Sequence, residues 1–271
     1  MTARIASMAT VRRMPRISIV RASGLVVLLI ASACSREQAP QRTPPPDAKR
    51  VDTATAGNVR GRVAIEGAVP QNPPLKLGGD RVCEKAHPGG TTAETFVSEN
   101  GGLGNVFVHV KDGLGQYYFD VPTEAVKLDQ RGCMYQPHVF GVRVGQNVEI
   151  VNSDTTAHNV HALPNVNQEF NFSQQIQNQK DSRFFTAPEV MVRFKCDMHN
   201  WMSAFAGVLE HPYFAVTEPG GRFELKQLPP GTYTIEAWHE KLGTQTQRIT
   251  LAEKGSADVS FTFKAPAATQ P

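Results

Sequence analysis

No stretch of the sequence sustains a helical apolar period long enough to support a helical bundle, and no stretch has the ~18 consecutive apolar residues that a membrane-spanning helix needs. One turn near 122–127 ("PTEAVK") is the single helical candidate. Clustered positive charge is also missing. The formal net charge is +3, but five arginines precede the short apolar run at 24–30, and without them the 28 basic residues fall to 23 against 25 acidic ones. Nothing in that balance argues for nucleic acid, which needs a clustered basic surface to neutralise phosphates. Cysteine is scarce, with four in 271 residues, so each needs its own explanation.

What is present begins with an export signal. "MTARIASMATVRRMPRISIVRASGLVVLLIASACS" has an arginine-rich start without acidic residues, an apolar run too short to span a bilayer, and the small residues Ala31, Ser32 and Ala33 before Cys34. Residues 1–33 are therefore read as a cleaved signal peptide. Cys34 resembles the lipidated cysteine of bacterial lipoproteins, although Ala31 stands where their lipobox usually has leucine. The resemblance implies an anchored periplasmic protein, with Ser35 pointing to the outer membrane. Ordinary cleavage at the A-x-A pattern, leaving a soluble periplasmic chain, is the alternative. Arg12 and Arg13 hint at twin-arginine export but lack the preceding Ser or Thr.

Residues 34–57 are rich in Pro, Gln, Thr, Ala and charge, too polar to bury a core, and read as a disordered tether. Beyond them, short alternating runs bounded by Gly, Pro, Asn and Asp predict half-buried strands, among them "VRGRVAIEG", "NVEIVN", "VMVRFKC" and "TYTIEAWHE". An all-β chain built from sandwiches follows. The linear partition is an N-terminal β region at 58–137, a central region at 138–210, a C-terminal β region at 211–264 and a tail at 265–271. "GGRFELKQLPPGTYTIEAW" resembles the carboxypeptidase regulatory-like domain, a small transthyretin-like β-sandwich. Such a domain needs more strands than remain after 211, so the strand near Asn58 could complete it, which would make the central region an insertion.

An exported chain lives where thiols oxidise. If Cys34 carries lipid and Cys83 pairs with Cys133, Cys196 is left over; spacing leaves other pairings open. Cys196 lies in "FKCDMHNWMSAF", where Cys196, His199 and Met202 recur every three residues. Val190, Val192, Phe194 and Cys196 share one face of a strand, so the thiol points inward where the chain must turn. Thiolate, imidazole and thioether are donors that copper prefers, and the set lacks one nitrogen. "VNSDTTAHNVHALP" offers His158 and His161. His158 shares a face with apolar Val160, whereas His161 takes the opposite face.

Residues 138–210 resemble a cupredoxin of the amicyanin and plastocyanin branch: "VGQNVEIVNSD" leads into "HNVH" at 158–161 and then "CDMHNWM" at 196–202. The resemblance implies a Greek-key β-sandwich holding one type 1 copper ion through His158, Cys196, His199 and Met202. Asn159 falls at the position that bonds across to the cysteine loop. Met198 is a rival axial ligand, disfavoured by its place inside the turn.

Other copper sites lack their signatures. A dinuclear centre needs a second loop cysteine, and a trinuclear oxidase needs His-x-His and His-Cys-His clusters. One cysteine with a thioether is poor for closed tetrahedral zinc. His109 is expected to face outward from its strand, His138 to make a structural hydrogen bond or bind a second ion, and His87, His211 and His239 to lie in loops and strand ends. Trp201 either anchors the loop or, with Met198 and Phe205, forms an apolar rim for a redox partner.

The expected function is single-electron transfer between redox protein partners, by a carrier and not an enzyme. Two alternatives stand beside it. A copper-delivery protein would surrender its metal to a partner. A cell-envelope binding or adhesion module, with a glycan or protein ligand on its C-terminal segment, would hold no stoichiometric copper.

Overall fold

The chain enters its first sheet with β1 (Gly57–Glu66), where Val59, Val63 and Ile65 point into a core and Arg60 and Glu66 point out. The computed structural model describes residues 43–267. After β1 come a short helix α1 (Arg81–Ala86), the two-residue strands β2 (Ser98–Glu99) and β3 (Gly102–Leu103), and β4 (Phe107–Asp112). The chain then leaves for a second sandwich made of β5 (Val126–Arg131), β6 (Met134–Gln136), β7 (Val139–Arg143), β8 (Val148–Asn152), β9 (His158–Leu163), β10 (Phe170–Gln174), β11 (Lys180–Arg183), β12 (Glu189–Lys195) and β13 (Ser203–Leu209). It returns to the first through β14 (Phe214–Val216), β15 (Arg222–Leu228), β16 (Gly231–His239), β17 (Gly243–Leu251) and β18 (Ser256–Lys264).

In the first sandwich, β1 pairs in parallel with β18 and antiparallel with β15 and β3, and this sheet packs on a second one ordered β14-β4-β16-β17. Val59, Val63, Val108, Leu225, Ile235 and Phe261 fill the space between. The inserted sandwich has sheets ordered β10-β9-β12-β13-β7 and β11-β8-β5-β6, closed over Leu128, Ile150, Val160, Phe185, Val192 and Phe194. In β12 Val192 and Phe194 are buried and alternate with Arg193 and Lys195, but the period does not reach back to Val190, expected on the same face: Val190 is exposed and Glu189 buried, because the register with β13 shifts between Glu189 and Val192.

A smaller apolar cluster, Phe107, Val139 and Leu209 with Phe205, Phe214 and Trp238 against them, joins the two sandwiches. Two glycines make this joint possible. A Cβ on Gly141 would stand 2.2 Å from the Phe214 ring, and one on Gly207 2.2 Å from the Phe107 ring. Both rings lie on bare backbone, where any side chain would push the sandwiches apart. His138, just before β7, adds a polar link: its Nε2 meets Glu240 Oε1 at 2.6 Å and its Nδ1 meets Ser203 O at 3.0 Å.

Several expectations need correction. The sheets do not divide the chain at 137 and 211: β5 and β6 belong to the inserted sandwich, while β1 and β4 share sheets with strands after 213. Pairing between distant segments, not linear order, defines the units. Residues 122–127 form no helix, because Val126 and Leu128 pair in parallel with Val148 and Ile150. The helix that exists, α1, is capped by Asp80, which accepts from Val82 N and Cys83 N. The part of the tether that is described, 43–57, is bound to the body: Lys49 N donates to Gln116 O and Arg50 pairs with Asp120. At the other end, Ala265 N donates to Glu66 O. His109 is buried instead of outward, since β4 has the first core on one side and the joint on the other. Residues 1–33 and Cys34 lie outside the described residues.

Candidate metal centre

Three elements of the inserted sandwich deliver the site. β9 opens with His158, whose side chain follows Val160 and Ala162 into the core. β12 ends one residue before Cys196, so the thiol continues the inward face of Val192 and Phe194. The turn at 196–202 is closed by its own backbone: Met202 N donates to His199 O at 2.9 Å and Cys196 N to Met202 O at 3.3 Å. That closure carries His199 back over the sulfur and sends the Met202 side chain into the same core.

The resulting donors converge. His158 Nδ1 and His199 Nδ1 are 3.0 Å apart, and His199 Nδ1 lies 3.8 Å from Cys196 Sγ. Two nitrogens held at about 2 Å from one ion at a tetrahedral angle stand about 3.3 Å apart, so the two imidazoles already have the spacing of shared ligands. The sulfur accepts from two backbone groups, Asn159 N at 3.4 Å and His199 N at 3.3 Å. Burial pushes the Cys196 thiol up, but hydrogen bonds from His158, His199 and those two N–H groups prevail and bring it down to about 6. A thiolate is the form that binds metal. Burial also works against protonated His158, yet Asp154 and Cys196 together raise its pKa.

Each imidazole turns its other nitrogen to a carboxylate. His158 Nε2 is 2.9 Å from Asp154 Oδ2, and His199 Nε2 is 3.3 Å from Asp80 Oδ2. A carboxylate only accepts, so the His158 Nε2 that bonds to Asp154 carries hydrogen, while His199 Nε2 stands at ion-pair distance from Asp80. Asp154 accepts from Gly132 N and Cys133 N, both at 2.8 Å. Asp80 accepts from Val82 N at 2.7 Å and from Thr156 Oγ1 at 2.6 Å. Cys83 and Cys133 form a disulfide beside the site, with Cys83 Sγ 3.8 Å from His199 Nε2.

His158, Cys196 and His199 thus converge, Met202 lies in the same core, and all four are buried. His199 is 5% exposed because α1 and the disulfide lie over its outer edge. Asn159 reaches the cysteine loop by accepting from Asp197 N at 3.0 Å, and its amide donates to Phe172 O at 3.1 Å. Met198, the rival ligand, is 53% exposed. Trp201 donates Nε1–H to Cys133 O at 3.0 Å with its ring 5.0 Å from that of His199, so it fastens the loop. Phe205 is not its neighbour in a rim: it packs on Trp238 in the joint, because β13 residue 205 faces the other sandwich.

Asp80, Asp154 and Tyr135 were not identified from sequence. Tyr135 donates its hydroxyl to the Asn159 and Lys195 carbonyls, bracing both ligand strands. Asp154 had one available signal, a carboxylate four residues before a candidate ligand. Asp80 had none, being distant in sequence from both histidines.

No protein-family model matches the sequence, and no curated protein does. Among solved structures the chain is similar to the Cu(I) form of an amicyanin mutant, at 26% identity and a TM-score of 0.29, over 32% of this chain and 85% of that one. It is similar to another amicyanin mutant in its reduced state, at 22% identity and 0.29, over 37% and 97%. A purple cupredoxin from Nitrosopumilus maritimus aligns at 17% identity and 0.27, over 31% and 98%.

Proposed function

We propose that this protein is an exported, lipid-anchored blue copper protein that carries single electrons between redox partners, with His158, Cys196, His199 and Met202 as ligands of one ion. The observation that carries the reading is the meeting of two Nδ1 atoms and one cysteine sulfur at a buried point of the inserted core. Two imidazoles, a thiolate and a weak thioether suit both Cu(I) and Cu(II), and the bound ion would supply the one-electron couple. The chain's own residues do the rest. Backbone N–H groups hold the sulfur, carboxylates hold the imidazoles, and the apolar core keeps water away. Little rearrangement is needed when the charge changes by one. With four protein donors no position is left for a substrate, which favours a carrier over an enzyme.

Burial of all four donors favours retention of the ion over delivery to a partner. The test is an anaerobic copper titration followed by optical and spin-resonance spectra. One equivalent per chain and an intense visible band on oxidation are expected. Cys196→Ser abolishes the band while the protein stays folded; a variant that keeps the colour overturns the assignment.

A further inference from the structure

The two carboxylates that face the metal histidines are held by the two halves of one disulfide. Asp80 Oδ1 accepts from Cys83 N at 3.3 Å as well as from Val82 N, and its other oxygen faces His199. Asp154 accepts from Cys133 N, and from Gly132 N beside it, and faces His158. Cys83 and Cys133, separated by 50 positions, are covalently joined. A continuous path therefore runs from one imidazole through a carboxylate, a half-cystine, its partner and a second carboxylate to the other imidazole. Thr156, two residues before His158, closes the ring by donating to the Asp80 oxygen that faces His199. α1 has only six residues and could not hold Asp80 over the site by itself.

We propose that the Cys83–Cys133 disulfide is a yoke: it positions Asp80 and Asp154, fixes both metal imidazoles with Nδ1 inward, and thereby sets the reduction potential of the centre. This rests on the copper reading above. Negative charge on the outer nitrogens strengthens the imidazoles as donors and stabilises Cu(II) more than Cu(I), because the extra unit of positive charge feels it. The yoke thus holds the potential low. Asp80, Asp154 and the disulfide stand against the ligands, so they are positioning residues.

The test uses four proteins: wild type, Asp80→Asn, the Cys83→Ser and Cys133→Ser double variant, and that double variant carrying Asp80→Asn. Asparagine caps a helix as well as aspartate does, so Asp80→Asn keeps α1. Loss of a partner of this kind lowers metal affinity 10–100-fold. Each tenfold loss for Cu(II) relative to Cu(I) raises a one-electron potential by 59 mV. Asp80→Asn raises the potential, the double variant raises it in the same direction, and adding Asp80→Asn to the double variant moves it by less than half the wild-type shift. A double variant with lowered melting temperature and an unchanged potential overturns the yoke, as do fully additive shifts. If the double variant does not fold, Asp154→Asn replaces it and must raise the potential; an unchanged value counts against the proposal. Imidazole nitrogen NMR of the copper-free protein gives a second readout. His199 is held as the Nε2–H tautomer in wild type and exchanges between tautomers once the disulfide is removed. Should wild type bind no copper, the copper reading fails, while the tautomer result still decides whether the disulfide orients the rings.

Discussion

The Nδ1 atoms of His158 and His199 lie 3.0 Å apart although 41 positions separate them in the chain. In water two imidazoles have no reason to meet. Here His158 Nε2 is hydrogen-bonded to Asp154, His199 Nε2 lies 3.3 Å from Asp80 Oδ2, and the two near nitrogens face each other. An ion bound here would meet donors already converged, which reduces the entropy lost on binding.

Replacing His158 by Ala removes one of the converging nitrogens and leaves a hole in a fully buried place. Stoichiometric copper binding is lost in a titration against a competing chelator. Circular dichroism continues to report a β-rich fold.

Met202→Leu keeps volume and removes the thioether, a volume-conserving change that costs less than about 1.5 kcal/mol. Copper and the visible band remain. Loss of a donor weakens Cu(II) more than Cu(I), so the potential measured by voltammetry rises. An unchanged potential would remove Met202 from the ligand set.

Gly207→Ala forces a methyl group into the Phe107 ring at the joint of the two sandwiches. Overpacking of this kind costs about 1–3 kcal/mol. The melting temperature falls and the copper spectrum does not change, because the strain lies at the joint and the ligands lie in the inserted core.

The buried pair His138 and Glu240 makes stability depend on pH. Burial opposes the charged form of His138, but Glu240 outweighs it and raises the pKa; burial likewise opposes charge on Glu240, and His138 lowers its pKa. The histidine contribution is full below its unfolded value of about 6.5 and is lost as pH rises through the raised folded value. That of the glutamate is full above about 4.3 and is lost as pH falls through the depressed folded value. Glu240→Gln leaves His138 without its partner and costs about 3 kcal/mol between those limits. Urea unfolding at pH 5.5 resolves the loss, which shrinks above and below the window.

Breaking the Cys83–Cys133 disulfide frees a loop of 50 residues in the unfolded chain. Loop-closure entropy puts the loss at about 4 kcal/mol. Chemical denaturation of the Cys83→Ser and Cys133→Ser double variant measures it, and a loss under about 1 kcal/mol would mean that the unfolded chain stays compact without the bond.

Alternation made much of the fold legible. Val59, Val63 and Ile65 in β1, and Val192 and Phe194 in β12, mark their strands directly. β11 was not legible, because "KDSR" carries only polar residues held in register by β8; β10 shows just one alternating step, Phe170 and Phe172, too short to mark a strand. α1 was missed since a six-residue helix has no period to read; Asp80 is its one local mark.

By itself the sequence determined the donor types, their order and which face of each strand they occupy. Rotation per residue is a local property of the backbone, so Cys196 follows Phe194 inward where the strand keeps its period, as it does not at Val190. Only the tertiary structure decided that His158 meets His199, that Asp80 and Asp154 stand behind them, and that the insertion sits within a sandwich closed by the pairing of β1 with β18. Those contacts join segments tens to more than a hundred positions apart. They are selected by packing and burial of the whole chain, which no local spacing encodes.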